Sequence, residues 1–260
     1  MTAFGLIDSH CHLDPANFAE GADLVLERAR QGGVSGFVCI GVGGLAAAEH
    51  ACDLARSRND VVATVGVHPH DASQHTEVLQ GELEKLAREQ RVVAIGEIGL
   101  DYHYDHSPRV QQQEVFRRYI QLAKSLSKPI VVHTRSAPAD TLDILEVEGA
   151  RDVGGVIHCF SEDLTFARRA LNLNFVLSFS GIATFKRAEA IQEVARWVPA
   201  DSYLIETDSP YLAPVPKRGK KNEPAFLVHT AQHIAQLRGE PVEEVAAKTS
   251  ENARRLFRWH

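Results

Sequence analysis

The feature that most constrains the fold is a regular alternation of short apolar, β-branched runs with longer segments of helical periodicity. This alternation predicts parallel strands joined by crossover helices. The chain has 260 residues, 44% of them hydrophobic, and a (β/α)8 barrel commonly needs about 250 residues. We therefore predict an α/β fold with one domain, 1–260, formed by a single (β/α)8 TIM barrel. The predicted strands lie near 4–8, 36–41, 61–67, 92–96, 129–132, 154–157, 174–178 and 202–205.

The segments between and after these runs predict helices, including extra ones at the C-terminal end. Two short helices are expected between 239 and 258, one starting at Pro241 and the other near Asn252. A doubly wound open sheet would show a similar alternation, but it gathers its ligands at one topological switch point. The other predicted helices lie near 20–31, 45–58, 77–90, 108–127, 138–148, 163–172, 186–197 and 224–237.

Side chains that bind divalent metals follow the ends of several predicted strands around the whole sheet, which favours the barrel. In a barrel the carboxyl ends of all strands meet on one face, so we expect these side chains to converge. His10 and His12 are two positions apart, and the period of two aims both at the same side. Glu97, with two carboxylate oxygens, is our candidate for a bridge between two ions. The predicted metal ligands are His10, His12, Glu97, His133, His158 and Asp208.

Six other histidines and the cysteines receive no catalytic role. Cys11 and Cys159 adjoin predicted ligands, but strand alternation should turn them away, so we expect them to pack. The four cysteines lack a Cys-x-x-Cys pair and the density of a disulfide scaffold, which indicates a reduced cytoplasm. Histidines predicted to lie in helices or outer loops are His50, His75, His106, His229, His233 and His260.

Charge and hydropathy exclude some classes of protein. A net charge of −6 argues against a protein that coats nucleic acid with a broad basic surface. The densest positive cluster, 217–221, follows the last predicted strand. No stretch approaches the roughly 20 apolar residues of a membrane helix, and the amino terminus lacks the order of a secretory signal. We expect a cytoplasmic protein without membrane contact or an obligate protein partner.

Several motifs give the chain a resemblance to the TatD family of metal-dependent deoxyribonucleases, which are amidohydrolase-like TIM barrels. The resemblance implies the same six ligands, a Mg²⁺ or Mn²⁺ requirement, and removal of nucleotides from DNA 3′ ends. Four imidazoles suit zinc or another transition metal better than magnesium, so we expect two divalent ions and keep Zn²⁺ as an alternative. The motifs are 8–14 (DSHCHLD), 66–70 (GVHPH), 96–102 (GEIGLDY), 133–135 (HTR), 158–161 (HCFS), 180–186 (SGIATFK), 206–214 (ETDSPYLAP) and 218–224 (RGKKNEP).

The expected reaction is hydrolysis of a phosphodiester by a metal-activated water, with DNA, and RNA as a further option, as the substrate. Asp208 would hold the water and accept its proton. Glu206 would either assist or make a structural hydrogen bond. Tyr104 would either stack on a base or, as we expect, pack at the barrel rim. Predicted substrate contacts are His68 and His103 at the departing oxygen, Tyr102 against a base, and Arg135, Lys186 and Arg218 at phosphates.

Two other functions remain compatible with the sequence. A D-aminoacyl-tRNA deacylase, or another ester or amide hydrolase, would use the same metal site, and tRNA is also rich in phosphate. A metal-binding adaptor would hold nucleic acid or protein without turnover. Comparison of single-stranded DNA with D-aminoacyl-tRNA as substrates separates a deoxyribonuclease from the first alternative. Binding without product identifies the second alternative.

Overall fold

A computed structural model describes residues 5–259. Eight strands form one sheet in which each strand neighbours the next one along the chain. The pairings between successive strands are parallel. The strands are β1 (Leu6–Cys11), β2 (Val34–Gly41), β3 (Val61–Val65), β4 (Val92–Asp101), β5 (Ile130–Arg135), β6 (Gly155–Ile157), β7 (Phe175–Phe179) and β8 (Tyr203–Ile205).

A helix follows each strand, as the sequence periodicity predicts. Short 3-10 helices occupy Pro69–Gln74, Ala150–Asp152, Gly181–Thr184 and Pro224–Phe226. The α-helices are α1 (Ala22–Gln31), α2 (Leu45–Ser57), α3 (Glu77–Ala87), α4 (Arg109–Leu126), α5 (Pro138–Val147), α6 (Leu164–Asn172), α7 (Glu189–Trp197), α8 (Leu227–Arg238) and α9 (Val242–Phe257).

The order of the elements confirms the predicted fold class. A parallel bridge joins Cys11, at the end of β1, to Ser209, which follows β8. An eight-stranded parallel sheet whose first and last strands meet belongs to the (β/α)8 barrel class. The apolar runs form the strands because they are buried, and the helices supply the crossovers that parallel pairing requires.

The chain divides into two compact units, each assembled from separated segments. The first unit contains 5–39, 159–167 and 177–259. Its strands pair β1 with β2 and β7 with β8, and α8 and α9 pack against one another. The prediction of one domain stays a prediction.

The second unit contains 40–158 and 168–176. Here β3, β4, β5 and β6 pair in sequence, and α4 packs on β4. The register of β4 and β5 sets Gly99 opposite His133 and Asp101 opposite Arg135. A side chain at position 99 would collide with the His133 carbonyl oxygen, 2.0 Å from where a Cβ would lie, so only glycine allows this close pairing.

The three strands that contain predicted ligands extend further than predicted, and this changes the description of the ligands. His10 lies inside β1, Glu97 inside β4 and His133 inside β5, so these residues do not follow the strand ends. We predicted that the strands end at these residues because the side chains are polar. The strands continue because the polar side chains have buried partners, so the backbone hydrogen bonds of the sheet are kept. His158 does follow β6 directly, and Asp208 lies beyond β8. The part of the first predicted strand at Phe4 lies outside the described residues.

The expected pair of short C-terminal helices is wrong, because one continuous helix, α9, covers the segment. Asn252 lies within this helix and is buried. Its side-chain amide donates hydrogen bonds to the backbone oxygens of Ala200 and Tyr203. The asparagine that we predicted near the start of a helix therefore donates hydrogen bonds to backbone carbonyls beside β8. Among the described residues, no helix is long and apolar enough to cross a membrane.

Candidate metal centre

The first unit brings together three of the predicted ligands, His10, His12 and Asp208. The Nε2 atoms of the two imidazoles are 3.3 Å apart. The Asp208 Oδ1 atom lies 3.8 Å from the His10 Nε2 atom and 3.7 Å from the His12 Nε2 atom. His10 and Asp208 are buried, and His12 is partly buried. Three ligand atoms of these types, all close together, form a candidate metal site.

Hydrogen bonds from β1 to the segment after β8 fix this cluster. The Asp208 backbone N–H donates to the His10 carbonyl oxygen (3.0 Å), and the His12 backbone N–H donates to the Ser209 oxygen (2.9 Å). Asp208 has a φ of 54°, in the left-handed region that few non-glycine residues adopt. The surrounding hydrogen bonds hold it there, as is common for functional residues.

Asp8 is a buried carboxylate behind this cluster, and the sequence analysis gave it no role. Thr207 donates to it twice, with its backbone N–H (2.9 Å) and its hydroxyl (2.6 Å), and the His10 backbone N–H donates a third hydrogen bond (3.3 Å). Burial raises the pKa of Asp8 to about 7 despite these hydrogen bonds. The strand alternation that places His10 and His12 on one side also includes Asp8, and this was the signal that could have found it.

The second unit brings together Glu97, His133 and His158. The Glu97 Oε1 atom lies 2.9 Å from the His133 Nδ1 atom and 2.8 Å from the His158 Nε2 atom. Glu97 and His158 are buried, and His133 is partly buried. The carboxylate oxygen is therefore the common neighbour of two imidazole nitrogens. That these three residues and the first cluster hold ions in one shared site stays a prediction.

Asp101 stands behind this second cluster and was also missed by the sequence analysis. Its Oδ2 atom lies 3.1 Å from the His133 Nε2 atom and 3.0 Å from the His70 Nε2 atom. Burial alone would raise its pKa, but the hydrogen bonds from His133, the Tyr104 N–H and His70 outweigh burial, so the pKa of Asp101 is well below its usual range. If the fourth predicted strand had been extended from Glu97 to Asp101, its period of two would have placed both carboxylates on the same side of the strand.

The protonation of His133 follows from its two carboxylate neighbours. Burial alone lowers the pKa of a histidine, but the hydrogen bonds to Asp101 and Glu97 together raise the pKa of His133 above its usual value. In metal sites, a ligand histidine commonly turns one nitrogen to the ion and the other to a carboxylate. Asp101 occupies the second of these positions for His133.

His68 lies beside Glu97, although it was predicted to contact the departing oxygen of the substrate. Its Nε2 atom is 3.4 Å from the Glu97 Oε1 atom, and its Nδ1 atom accepts a hydrogen bond from the His70 backbone N–H (3.1 Å). Burial lowers the pKa of His68, which favours the neutral ring. Because Nδ1 accepts, the neutral ring carries its proton on Nε2. His68 is therefore arranged as a hydrogen-bond donor toward Glu97.

The donor chemistry of both clusters fits divalent metal. An ion about 2.0–2.2 Å from each nitrogen or oxygen ligand leaves the ligand atoms roughly 3.3 Å apart or more in a tetrahedral set. The distances of 3.3–3.8 Å among His10, His12 and Asp208 match this spacing. In the second cluster the distances of 2.9 and 2.8 Å from the Glu97 Oε1 atom to the two imidazoles are shorter than this spacing. Its fit lies in the donor types and in the Asp101 carboxylate behind an imidazole, a usual partner of a metal ligand.

Glu206 makes the structural hydrogen bond that was one of its two expected roles. It is fully buried, and its Oε1 atom accepts the backbone N–H of Cys159 (2.6 Å). Cys159 lies beyond the end of β6 and has a φ of 44°. The strand alternation that we expected to turn its side chain away from the ligands therefore does not apply to it. Its Sγ atom lies 3.2 Å from the Ser180 Oγ atom. Cys11 packs as predicted, fully buried against the Val38 carbonyl.

The predicted substrate contacts of the second unit differ in how open they are. The Tyr102 hydroxyl donates to Asp140 (2.7 Å) and accepts from Gln113, and the Arg109 guanidinium lies 4.4 Å from the ring centroid. Tyr104 contacts the rings of His70 and His103 but stays 49% exposed, so its two expected roles, rim packing and base stacking, stay predictions. Its backbone N–H donates to Asp101 (2.9 Å).

The predicted phosphate contacts of the first unit are exposed. Lys186 lies in the turn after the 3-10 helix Gly181–Thr184. The Arg218 guanidinium lies 3.8 Å from the centroid of the Phe185 ring. The neighbouring Lys221 ammonium is 4.5 Å from the Phe18 ring centroid. The Lys217 ammonium lies 5.1 Å from the Phe226 ring centroid, so cation–π contacts hold three cations of the loop 217–221 against the protein.

Comparisons with known proteins agree with this description. A model of the family described as TatD related DNase matches residues 7–258. The metal-dependent hydrolase YcfH of Escherichia coli (strain K12), described as uncharacterized, is 47% identical over 256 residues, with 97% of this chain and 95% of that protein covered. A 3′-5′ ssDNA/RNA exonuclease TatD of Erwinia tasmaniensis is 36% identical over 258 residues, covering 97% and 99%. The crystal structure of YJJV, a TatD homologue of Escherichia coli K12, superimposes with a TM-score of 0.92 at 29% identity, covering 99% of each chain.

The fold and the clustered imidazoles and carboxylates define an enzyme of the metal-dependent hydrolase class. Within this class, the chain belongs to the TatD family. The resemblance seen in the sequence motifs is thereby confirmed.

Proposed function

We propose that this hydrolase removes nucleotides from the 3′ end of single-stranded DNA, damaged ends included, and accepts RNA as a second substrate. The observation that carries the proposal is the pair of donor clusters, one formed by His10, His12 and Asp208 and the other by the Glu97 carboxylate with His133 and His158. The relative named as a 3′-5′ ssDNA/RNA exonuclease supports the choice of substrate.

Two divalent ions are assigned to the two clusters. His10, His12 and Asp208 would hold one, and Glu97, His133 and His158 the other, with Glu97 as the predicted bridge. Mg²⁺ or Mn²⁺ is the expected ion, and Zn²⁺ is the alternative that the four imidazoles favour. Such ions lower the pKa of bound water and stabilise negative charge on phosphoryl oxygens.

Asp208 is assigned to orient the attacking water and accept its proton. Its backbone is fixed by hydrogen bonds to β1, so its carboxylate keeps one position while a proton is transferred. General bases held in this way contribute about 10²–10⁴-fold to a rate. Glu206 would support the backbone next to His158 through its hydrogen bond to Cys159.

Exposed cations are assigned to the phosphates of the strand. Arg135 ends β5, two residues after His133, and its side chain is exposed. Lys186 and Arg218 are exposed in loops of the first unit. The protein has a net charge of −6, so its overall charge does not attract a polyanion. Local cations do attract it, because salt screens surface charges beyond about 8 Å. His103, exposed near Tyr104, stays a candidate contact of the departing oxygen.

The test is a metal series on one 3′-labelled single-stranded oligonucleotide. We expect release of labelled mononucleotide with Mn²⁺ or Mg²⁺ and a loss of about 10³-fold for Asp208→Asn. Asp143→Asn, a surface aspartate paired with Arg169 on the outside of α5, is the matched control and should keep full activity. Full activity of Asp208→Asn would contradict the assigned role of Asp208. Release of the amino acid from D-aminoacyl-tRNA, with intact DNA, would replace the exonuclease by an ester hydrolase.

A further inference from the structure

An exposed aromatic platform lies in the second unit, formed by Tyr104, His106 and Arg135. The Tyr104 and His106 rings are nearly parallel, at 7° between planes and 5.6 Å between centroids. The Arg135 guanidinium lies 4.7 Å from the centroid of the Tyr104 ring. Although these neighbours contact it, Tyr104 remains 49% exposed. The ring therefore keeps open surface next to a positive charge.

Asp101 ties this platform to the second metal cluster. Its Oδ1 atom accepts the backbone N–H groups of His103 (3.0 Å) and Tyr104 (2.9 Å). Its Oδ2 atom lies 3.1 Å from the Nε2 atom of His133. One carboxylate thus fixes both the loop that carries Tyr104 and an imidazole of the cluster. The platform is held at a constant position relative to that imidazole.

His70 and the register of the sheet give two further links. The His70 ring lies 5.4 Å from the Tyr104 ring and 4.7 Å from the His106 ring, and its Nε2 atom contacts Asp101. Arg135 pairs in register with Asp101 at the ends of β5 and β4. Arg135 and the aromatic rings therefore lie at the paired ends of β5 and β4, and these two strands also carry residues of the second metal cluster.

We propose that the platform binds one unpaired nucleotide of the strand, with the base stacked on the open surface of Tyr104 and the phosphate paired with Arg135. The inference rests on the proposed function and names a subsite for it. Aromatic rings bind unpaired bases with little sequence preference, while cations pair with the backbone. In a blunt duplex each base is paired and stacked, and only the outer face of the terminal pair is open, so a base must leave its pair before it can lie on the Tyr104 ring beside Arg135. The platform therefore makes the enzyme prefer single-stranded ends.

The test measures binding separately from hydrolysis. A 5′-fluorescent oligonucleotide whose last linkages are phosphorothioates, which resist cleavage, is titrated with the metal-loaded enzyme and followed by anisotropy. Because stacking on an aromatic ring changes affinity by about 5- to 150-fold, we expect Tyr104→Ala to bind roughly ten-fold more weakly. Tyr104→Phe keeps the ring and should bind like the wild type. Val147→Ala, an exposed truncation at the end of α5, is the surface control.

Two further measurements separate stacking from a general loss of structure. The terminal nucleotides are replaced by base-free tetrahydrofuran residues, and Tyr104→Ala should then bind like the wild type. Arg135→Gln should reduce the slope of log K against log salt concentration by about 0.7, the value for one phosphate of a single strand. An oligoribonucleotide of the same sequence shows whether the Tyr104 ring adds more affinity for DNA or for RNA. Weaker binding of either strand by Tyr104→Ala supports the platform.

Equal binding by the wild type and Tyr104→Ala would overturn the platform, as would an equal deficit on the base-free strand. An unchanged salt slope in Arg135→Gln would remove Arg135 from it. The proposed function fails on a different result, namely the absence of nucleotide release by the wild type from any strand and with any metal. Binding by anisotropy does not depend on that result.

Discussion

The two metal clusters each have a buried aspartate behind them, yet the two aspartates differ in their ionisation. Asp8 stands behind His10 and accepts hydrogen bonds from Thr207 and the His10 backbone, and its pKa is raised to about 7. Asp101 stands behind His133, and its pKa is well below its usual range. Both residues are fully buried.

The chemistry of the neighbours explains the difference. Asp8 receives hydrogen bonds from neutral groups, which do not compensate for removing a carboxylate from water. Asp101 faces the imidazoles of His133 and His70, which can carry positive charge and thereby stabilise the anion. Burial alone thus does not decide ionisation. The first cluster is backed by a carboxyl group that is readily neutral, and the second by an anion that attracts positive charge.

Removal of one imidazole from each cluster is the change with the largest expected effect. His12→Ala should lose the ion of the first cluster and His133→Ala the ion of the second, because each removes one of three ligands. We expect bound metal to fall from two ions per chain to about one, and kcat to fall at least 10²-fold. Metal content is measured by mass spectrometry after dialysis, and activity on the 3′-labelled strand. His229→Ala, on α8 and outside both clusters, is the control.

The two variants also sharpen the comparison of the clusters. If both lose both ions, the clusters bind cooperatively and the predicted bridge by Glu97 is supported. If either variant keeps two ions and full activity, its histidine is not a ligand.

Asp101→Asn should have the next largest effect, and mainly on the second cluster. Loss of a carboxylate behind a metal-binding histidine typically weakens metal affinity or activity by 10- to 100-fold. Asn can still accept the backbone N–H groups of His103 and Tyr104, so the loop should keep its place. Metal titration should therefore show one weakened ion and one unchanged ion. Asp105→Asn, an exposed aspartate paired with Arg109, is the control, and equal weakening of both ions would contradict a local role.

The sequence allowed the fold class and the six candidate ligands to be predicted because alternation of strands and helices and polar residues near strand ends are local signals. Seven of the eight strand and helix pairs needed shifts of no more than three residues at their ends, roughly the expected error of such assignments, and the exception is β4, which ends at Asp101. Asp101 and Asp8 were missed because each looks like an ordinary polar residue until its neighbours are known. Thr207, which fixes Asp8, is distant in sequence.

Tyr104 shows the same limit at the surface. An aromatic residue after a strand is more often packed than exposed, and the hydrogen bond from the Tyr104 N–H to Asp101 that orders this loop is not visible in the sequence.

The smallest expected effect concerns the pH dependence of stability at Asp8. In the unfolded chain its pKa is 3.8, and in the folded protein it is about 7. Between these values the folded state binds a proton that the unfolded state has released, so the free energy of unfolding falls as pH rises. The contribution is present below about pH 4 and lost as pH passes through about 7. Its size is on the order of a few kcal/mol at most.

Asp8→Asn removes this titration, since an amide resembles a protonated carboxyl and can still accept the Thr207 backbone N–H. The difference in unfolding free energy, wild type minus variant, should therefore decline between roughly pH 4 and 7 and then become constant. Urea denaturation in EDTA measures it without contributions from bound metal. Asp101→Asn should give the opposite trend, and below about pH 4 rather than between pH 4 and 7, because a carboxyl whose pKa is lowered from 3.8 adds stability that is fully present above that value and lost as pH falls below it. If both differences changed with pH in the same direction, the contrast between the two aspartates would be wrong, and burial alone would govern both.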